Sequence, residues 1–237
     1  MRRRWVKFLT ITVVVLAVLF IAADRIAVHY AENEAAQLVR EKYGYANTTD
    51  AHLDVAIEGF PFLTQAADLD FGHVALTAER FGIDTTNNRQ GGYLDVDRLH
   101  LDLHGVTVTS LTARTAGANL VTGNLTLSYK DLSGVVSRLA GAGGPLEVSQ
   151  APGSDGQAAR VKVSGTVGGT ALNSTGTILT QGTEISLTIP GAERASTTWN
   201  VSLPEGVGFT EARATAEGVE ISLVGHQVIL GSSRFNR

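Results

Sequence analysis

The sequence predicts an α+β protein: an N-terminal membrane segment, a long helix, and a highly curved antiparallel β-sheet wrapped about that helix. Three observations carry this. Phe8 to Ala23 holds no charge and only two threonines. Residues 24–43 repeat apolar side chains at helical spacing. From Ala51 onward the apolar period drops to two, with repeated slips of phase.

The apolar run FLTITVVVLAVLFIAA reaches about 24 Å as a helix at ~1.5 Å per residue, slightly short of the ~30 Å of bilayer hydrocarbon. Trp5, Val6 and the snorkelling stems of Lys7 and Arg25 extend it. Arg2, Arg3, Arg4 and Lys7 precede the run, a bias that holds the N-terminus in the cytoplasm and sends the remainder outward. Two readings stay open. The run is either a retained anchor or a secretory signal cut after Ala23, for which Ile21 is a poor small-residue match. Either way residues 1–23 form the anchor or signal, and residues 24–237 one extracytoplasmic domain.

The chain has no cysteine, so neither disulfides nor a thiolate metal site support the fold. Its net charge is −4 even with four basic residues before the apolar run, so the rest of the chain is more acidic still. That balance argues against nucleic acid, whose binding requires neutralised phosphates. It also argues against simple adsorption to anionic headgroups, which needs clustered Lys and Arg. Contact with lipid is expected through apolar surface.

In 24–43, Val28, Ala31, Ala35, Leu38 and Val39 share a helical face, and Gly44 is a plausible stop. That face fits a core-packing helix or one lying on a membrane surface. Leu53, Val55 and Ile57 then alternate with polar neighbours as a half-buried strand. In IEGFPFLTQ, Pro61 between Phe60 and Phe62 rules out a central strand and predicts an edge or an irregular apolar loop. The apolar phase slips at Gly72, which predicts a bulge, and again between Val96 and Leu99. Such slips mark bent strands in a curving sheet. Residues 81–92 read as a turn.

Further strands are expected at 106–115, 120–129, 160–166, 171–180, 184–189, 199–203, 209–216 and 219–230. Leu132, Val135, Val136 and Leu139 fall at helical spacing and predict a short helix. The Gly-, Pro- and Ser-rich stretch 141–157 reads as a mobile connection.

Motifs for chemistry are sparse. His100, Asp102 and His104 share one strand face at a spacing that suits a metal, but alternation with Leu99, Leu101 and Leu103 produces the same pattern as a solvated face. The nearest approach to a nucleophile elbow, P-G-S-D-G around Ser154, lies in the glycine-rich connection. There is no H-E-x-x-H and no Walker loop, and no cofactor or catalytic residue is assigned.

The segments IEGFPFLTQ (57–65), LHLDLHGVTV (99–108) and LPEG…AEGVEISLVGHQVIL (203–230) resemble the actinobacterial LmeA-type phospholipid-binding proteins of the cell envelope. G-F-P-F-L-T-Q after a strand is the most specific element of the resemblance. It implies a tubular lipid-binding fold, with an apolar tunnel for acyl chains. It also implies an envelope role, connected in one member with mannan-type lipoglycan synthesis and a weak phospholipase activity. The expected partners are phospholipid and the membrane. Phe60, Pro61, Phe62 and Leu63 are expected at the mouth. Val28, Ala31, Ala35, Leu38, Leu101, Leu103, Leu125, Leu127, Ile221 and Leu223 are the candidate lining, and plain core packing would use the same residues.

Overall fold

One helix, α1 (Arg2–Tyr43), carries both the apolar run and the amphipathic stretch without a break, in keeping with the absence of Gly and Pro between its ends. The computed structural model describes residues 2–43, 52–84, 93–141, 144–153, 158–201 and 203–231. The expected helix stop at Gly44, most of the turn at 81–92, and Ser154 lie outside them. Among the described residues α1 is the one helix long and apolar enough to cross a membrane. Its side chains from Thr10 to Ala23 are exposed. Beyond them a packing face begins, with Val28 and Ala36 buried and Ala35 and Val39 against the core.

Among the described residues, eleven antiparallel strands follow α1, in two sheets. The first runs β1 (His52–Glu58), β2 (Asp70–Asp84), β3 (Tyr93–Ser110), β4 (Thr115–Ser128), β11 (Gly218–Leu230) and β10 (Val207–Ala214) in that spatial order. The second runs β5 (Glu147–Gln150), β6 (Ala158–Val167), β7 (Thr170–Gln181), β8 (Glu184–Thr188) and β9 (Thr197–Asn200). They meet where the Phe209 N–H donates to the Gly182 carbonyl at 2.7 Å. The class is the expected α+β with curved antiparallel sheet, divided in two and closed by neither part.

The inner face of the first sheet is built from apolar rows that cross all six strands. One reads Val55, Leu76, Leu101, Gly123, Leu223, Phe209; the next reads Leu53, Ala78, Leu99, Leu125, Ile221, Ala212. Rows of this kind form because alternate residues of paired strands share a face. Over β4, β11 and β10 Leu125, Ile221, Leu223, Phe209 and Ala212 are buried, whereas Gly123 and Leu76, Leu99 and Leu101 on β2 and β3 are only half-buried.

The phase slips have a structural cause different from the expected bulge. No register shift occurs at Gly72; β2 keeps one register with both neighbours along its paired length. Instead Gly105 on β3 (φ 60°) and Gln227 on β11 (φ 52°) adopt left-handed conformations at positions skipped by the ladder. Pairing resumes without loss, from His104↔Leu120 to Val106↔Ala118 and from His226↔Leu120 to Val228↔Ala118. The buried set changes parity there, from Leu103 to Val106 and from Leu223 to Val228. Arg80 (φ 52°) marks a second line, where β3 passes from Val96 to Leu99. The sheet therefore bends along transverse lines while every strand keeps its partners.

Helix α3 (Tyr129–Ala140) seals the deep side with Leu132, Val135 and Val136. Its start is capped by Ser128, whose hydroxyl accepts the Asp131 N–H. The stretch expected as a mobile connection contains β5. Ser137 Oγ accepts the Leu146 N–H and Ser133 Oγ the Val148 N–H, both at 2.8 Å, so two helix serines hold that strand in place.

Gly123 tests the row architecture, because a Cβ there would overlap the His100 carbonyl oxygen and lie 2.6 Å from Leu101 Cδ2. Gly123→Val should lower stability by about 1–3 kcal/mol in urea unfolding. Gly72→Ala adds a Cβ with nothing within 4 Å and should change it by no more than about 0.5 kcal/mol.

Candidate functional site

Strand β1 forms one edge of the first sheet, and an edge leaves alternate backbone groups without a ladder partner. Side chains of α1 supply the partners. Arg40 Nη2 donates to the Leu53 carbonyl at 3.0 Å, and Glu32 Oε1 accepts the Ile57 N–H at 3.0 Å. Further along, Asp24 Oδ1 accepts the Leu63 N–H at 2.9 Å, while Arg25 Nη2 donates to Asp24 Oδ2 at 2.7 Å. The Asp24 side chain is fully buried.

The Leu63 amide belongs to helix α2 (Phe62–Asp68), where a loop or edge strand was expected. Pro61 stands at its N-cap with no side-chain acceptor, a position where the missing N–H costs nothing. Asp24 on α1 supplies the acceptor instead, satisfying a first-turn donor. Gln65 ties α2 to the sheet: Nε2 donates to the Glu58 carbonyl at 3.4 Å and Oε1 accepts the Gly72 N–H at 3.1 Å.

An open pocket of about 510 Å³ lies here, bounded by Glu58, Gly59, Phe60 and Pro61, by Thr64 and Gln65 of α2, and by Gly72 and His73 of β2. Phe60 is exposed, with the Arg25 guanidinium 5.4 Å from its ring centre. Phe62 turns inward and stacks on Phe71 at 6.1 Å between ring centres. Phe71 in turn packs against the core.

The outer face of the same strands is polar. His73 lies between two carboxylates, Nδ1 at 2.9 Å from Glu58 and Nε2 at 2.9 Å from Asp102, and stacks on His104 at 4.5 Å. Asp102 also faces His100 Nε2 at 3.3 Å, and His100 Nδ1 meets the Thr77 hydroxyl at 3.0 Å. The bond to Asp102 raises the His73 pKa above its usual 6.5; partial burial opposes this, and Glu58 adds to the rise. Among the described residues no group of three or more His, Asp or Glu side chains is arranged to hold a metal ion. Thr77, His100 and Asp102 form a hydroxyl–imidazole–carboxylate line, but β2 is paired on both sides. Its amides are engaged in ladders, so they do not form an oxyanion hole beside Thr77.

Of the four residues expected at a mouth, Phe60 and Pro61 line the pocket, with Phe60 exposed and Pro61 half-buried, whereas Leu63 is half-buried and Phe62 is buried, neither of them in the lining. Of the candidate lining, Val28, Leu103, Leu125, Leu127, Ile221 and Leu223 are buried, while Ala31, Ala35, Leu38 and Leu101 are half-buried. Sequence reasoning missed Asp24, Glu32 and Arg40 as partners of β1 and α2. The signal present was the first charge after an apolar run, followed by polar residues at steps of eight.

The sequence model of the LmeA-like phospholipid-binding family matches residues 22–224, from the last turn of the apolar run into β11. The chain belongs to that family. Phospholipid is thus the ligand class of this LmeA-like chain, and the match covers the α1–β1 contact, the pocket and the inner rows. No curated protein and no solved structure gives a significant match.

Two expectations test this region. Asp24→Ala should speed amide hydrogen exchange in 62–68 and leave α3 unchanged; equal protection in both would show that Asp24 does not hold α2. For His73 the folded pKa is raised, so its contribution is complete below the unfolded value and is lost as pH rises through the folded one. Unfolding midpoints should fall between about pH 6 and 8 in the wild type, and His73→Gln should flatten that slope. Identical slopes would show that the network adds nothing to stability.

Proposed function

We propose that this protein is a membrane-tethered, extracytoplasmic phospholipid-binding and lipid-transfer protein of the cell envelope. Residues 1–23 anchor it and residues 24–237 form the lipid-handling domain. The observation that carries the reading is the half-buried apolar surface of Leu76, Leu99 and Leu101 on the inner face of the first sheet, in a chain of the LmeA-like phospholipid-binding family. Leu125, Ile221 and Leu223 in the same rows are buried, whereas these three stay partly open.

Acyl chains enter between α1 and this surface, drawn by about 0.8 kcal/mol for each buried methylene. Val28, Ala31, Ala35 and Leu38 form one wall, and Leu101 and Leu103 the other. Leu125, Leu127, Ile221 and Leu223, buried beneath these walls, floor the passage. The headgroup stays in the pocket, where Glu58, Thr64, Gln65 and His73 offer polar contacts. Affinity from apolar burial needs no basic patch, so an acidic chain handles phospholipid without contradiction.

Native mass spectrometry of the full chain extracted from membranes tests this. Co-purified phospholipid is expected on the wild type, with occupancy reduced about tenfold by Leu101→Asp, a penalty of about 1.4 kcal/mol. A lipid-free wild type would mean a solidly packed scaffold and would overturn the reading.

A further inference from the structure

We propose that the β3–β4 hairpin tip, the end of β11 and Phe60 form a docking rim that sits in the bilayer leaflet from which α1 emerges. This rests on the tethering part of the proposed function and adds a second, independent contact with the same membrane.

The orientation follows from the α1–β1 seam. Leu53, Ile57 and Leu63 are bonded to Arg40, Glu32 and Asp24 in turn, so β1 runs back along α1 toward the apolar run. Antiparallel pairing then sends β3 and β11 toward the membrane and β2 and β4 away from it. At that end Asp70 pairs with Thr107, Thr107 with Gly117, and Gly117 with Ile229. The hairpin continues past this row to Ser110 and turns through residues 111–114. Its base is fastened to the end of α2, because the Val108 N–H donates to the Leu69 carbonyl at 2.9 Å.

The exposed apolar side chains fall where this orientation requires. Outside α1, four large hydrophobic residues are exposed among the described ones: Phe60 (60%), Leu111 (70%), Leu179 (45%) and Ile229 (53%). Three of the four lie at the membrane-facing end, and Ile26, 72% exposed on α1, joins them. Water penalises such a cluster, and a bilayer interface accepts it. Arg25, half-exposed, paired with Asp24 and lying over the Phe60 ring, stands at the same level. Asp68 and Asp70 are also at this end, so the contact is apolar in character, without a net basic face.

The tip is held in shape before any contact. The Ala113 N–H donates to Ser110 Oγ at 3.0 Å, and the Thr109 and Thr115 hydroxyls meet at 2.9 Å across the hairpin. A preformed loop loses little conformational freedom on entering the interface.

The chain has no cysteine, so single thiols introduced by substitution report one position each. The full chain is reconstituted in phosphatidylcholine–phosphatidylglycerol vesicles carrying shallow lipid-attached nitroxides. An environment-sensitive fluorophore is placed at Leu111→Cys or Ile229→Cys. Leu16→Cys reports the span, and Asp54→Cys, beside the Leu53–Arg40 contact, reports the far end about 24 Å from Asp24 along α1. Nitroxide quenching at 111 and 229 should exceed that at 54 by about twofold or more, with protection from aqueous iodide. Quenching at 16 with none at 111 and 229 would overturn the rim and leave the tether standing. Iodide protection at 111 without nitroxide quenching would assign the patch to a second copy of the chain, also overturning the proposal. No quenching at any position would remove tether and rim together.

Discussion

The free edge of β1 is the constraint on which the arrangement depends. A sheet edge exposes backbone donors and acceptors that must find partners or invite unwanted strands. Here the partners come from one helix: Glu32 takes the Ile57 amide and Arg40 reaches the Leu53 carbonyl. Asp24 continues the pattern into α2. These contacts lock the helix to the sheet in one register and one direction. They thereby decide which end of the domain stands beside the apolar run and where the pocket opens. Apolar packing of Val28 and Ala36 adds burial, but hydrophobic contact is non-directional and would tolerate sliding that hydrogen bonds do not.

The two faces of the first sheet divide the chemistry. Inside, the rows through Leu101 and Leu99 are continuous across six strands, and Gly123 leaves room for Leu101 to lie over its neighbour. Outside, the same alternation sets His73, His100, Asp102 and His104 side by side. There they form an imidazole–carboxylate network that joins β1, β2 and β3. The residues at transverse bends let both faces persist around a curve. Gly105 suits one of them, because its left-handed φ strains an L side chain and an added Cβ would displace the Asn119 amide.

Strand positions were legible because period-two alternation survives any amount of sheet curvature; the expected strands from Arg160 onward match β6 to β11 within a few residues. Short α3 was legible from Leu132, Val135 and Val136. The misses have physical reasons. Helix α2 was hidden because Phe-Pro-Phe reads as an irregular segment, and its capping acceptor sits on α1, far away in sequence. Strand β5 was hidden in a Gly- and Pro-rich stretch because its support comes from Ser133 and Ser137. The slip at Gly72 was visible, but a parity change with register kept is indistinguishable from a bulge until the partner strand is known. Of the candidate site, Phe60 to Leu63 stood out as apolar residues around a proline. The Glu58–His73–Asp102 contact did not, since it joins three strands whose register no local pattern specifies.

The site's composition bears on why an acidic chain uses this fold for lipid. A charged groove would hold headgroups strongly and release them poorly in a salt-dependent way. An apolar surface instead scales affinity with chain length, and on the function proposed above access is controlled by one aromatic contact, Phe62 on Phe71. That contact is next to the Asp24 cap, because Leu63, the residue bonded to Asp24, follows Phe62 in α2. The Asp24 bond therefore joins α1 to α2 one residue away from the aromatic pair. Helix α1, the edge of β1 and the Phe62–Phe71 pair are thereby tied together by one set of side-chain to backbone hydrogen bonds.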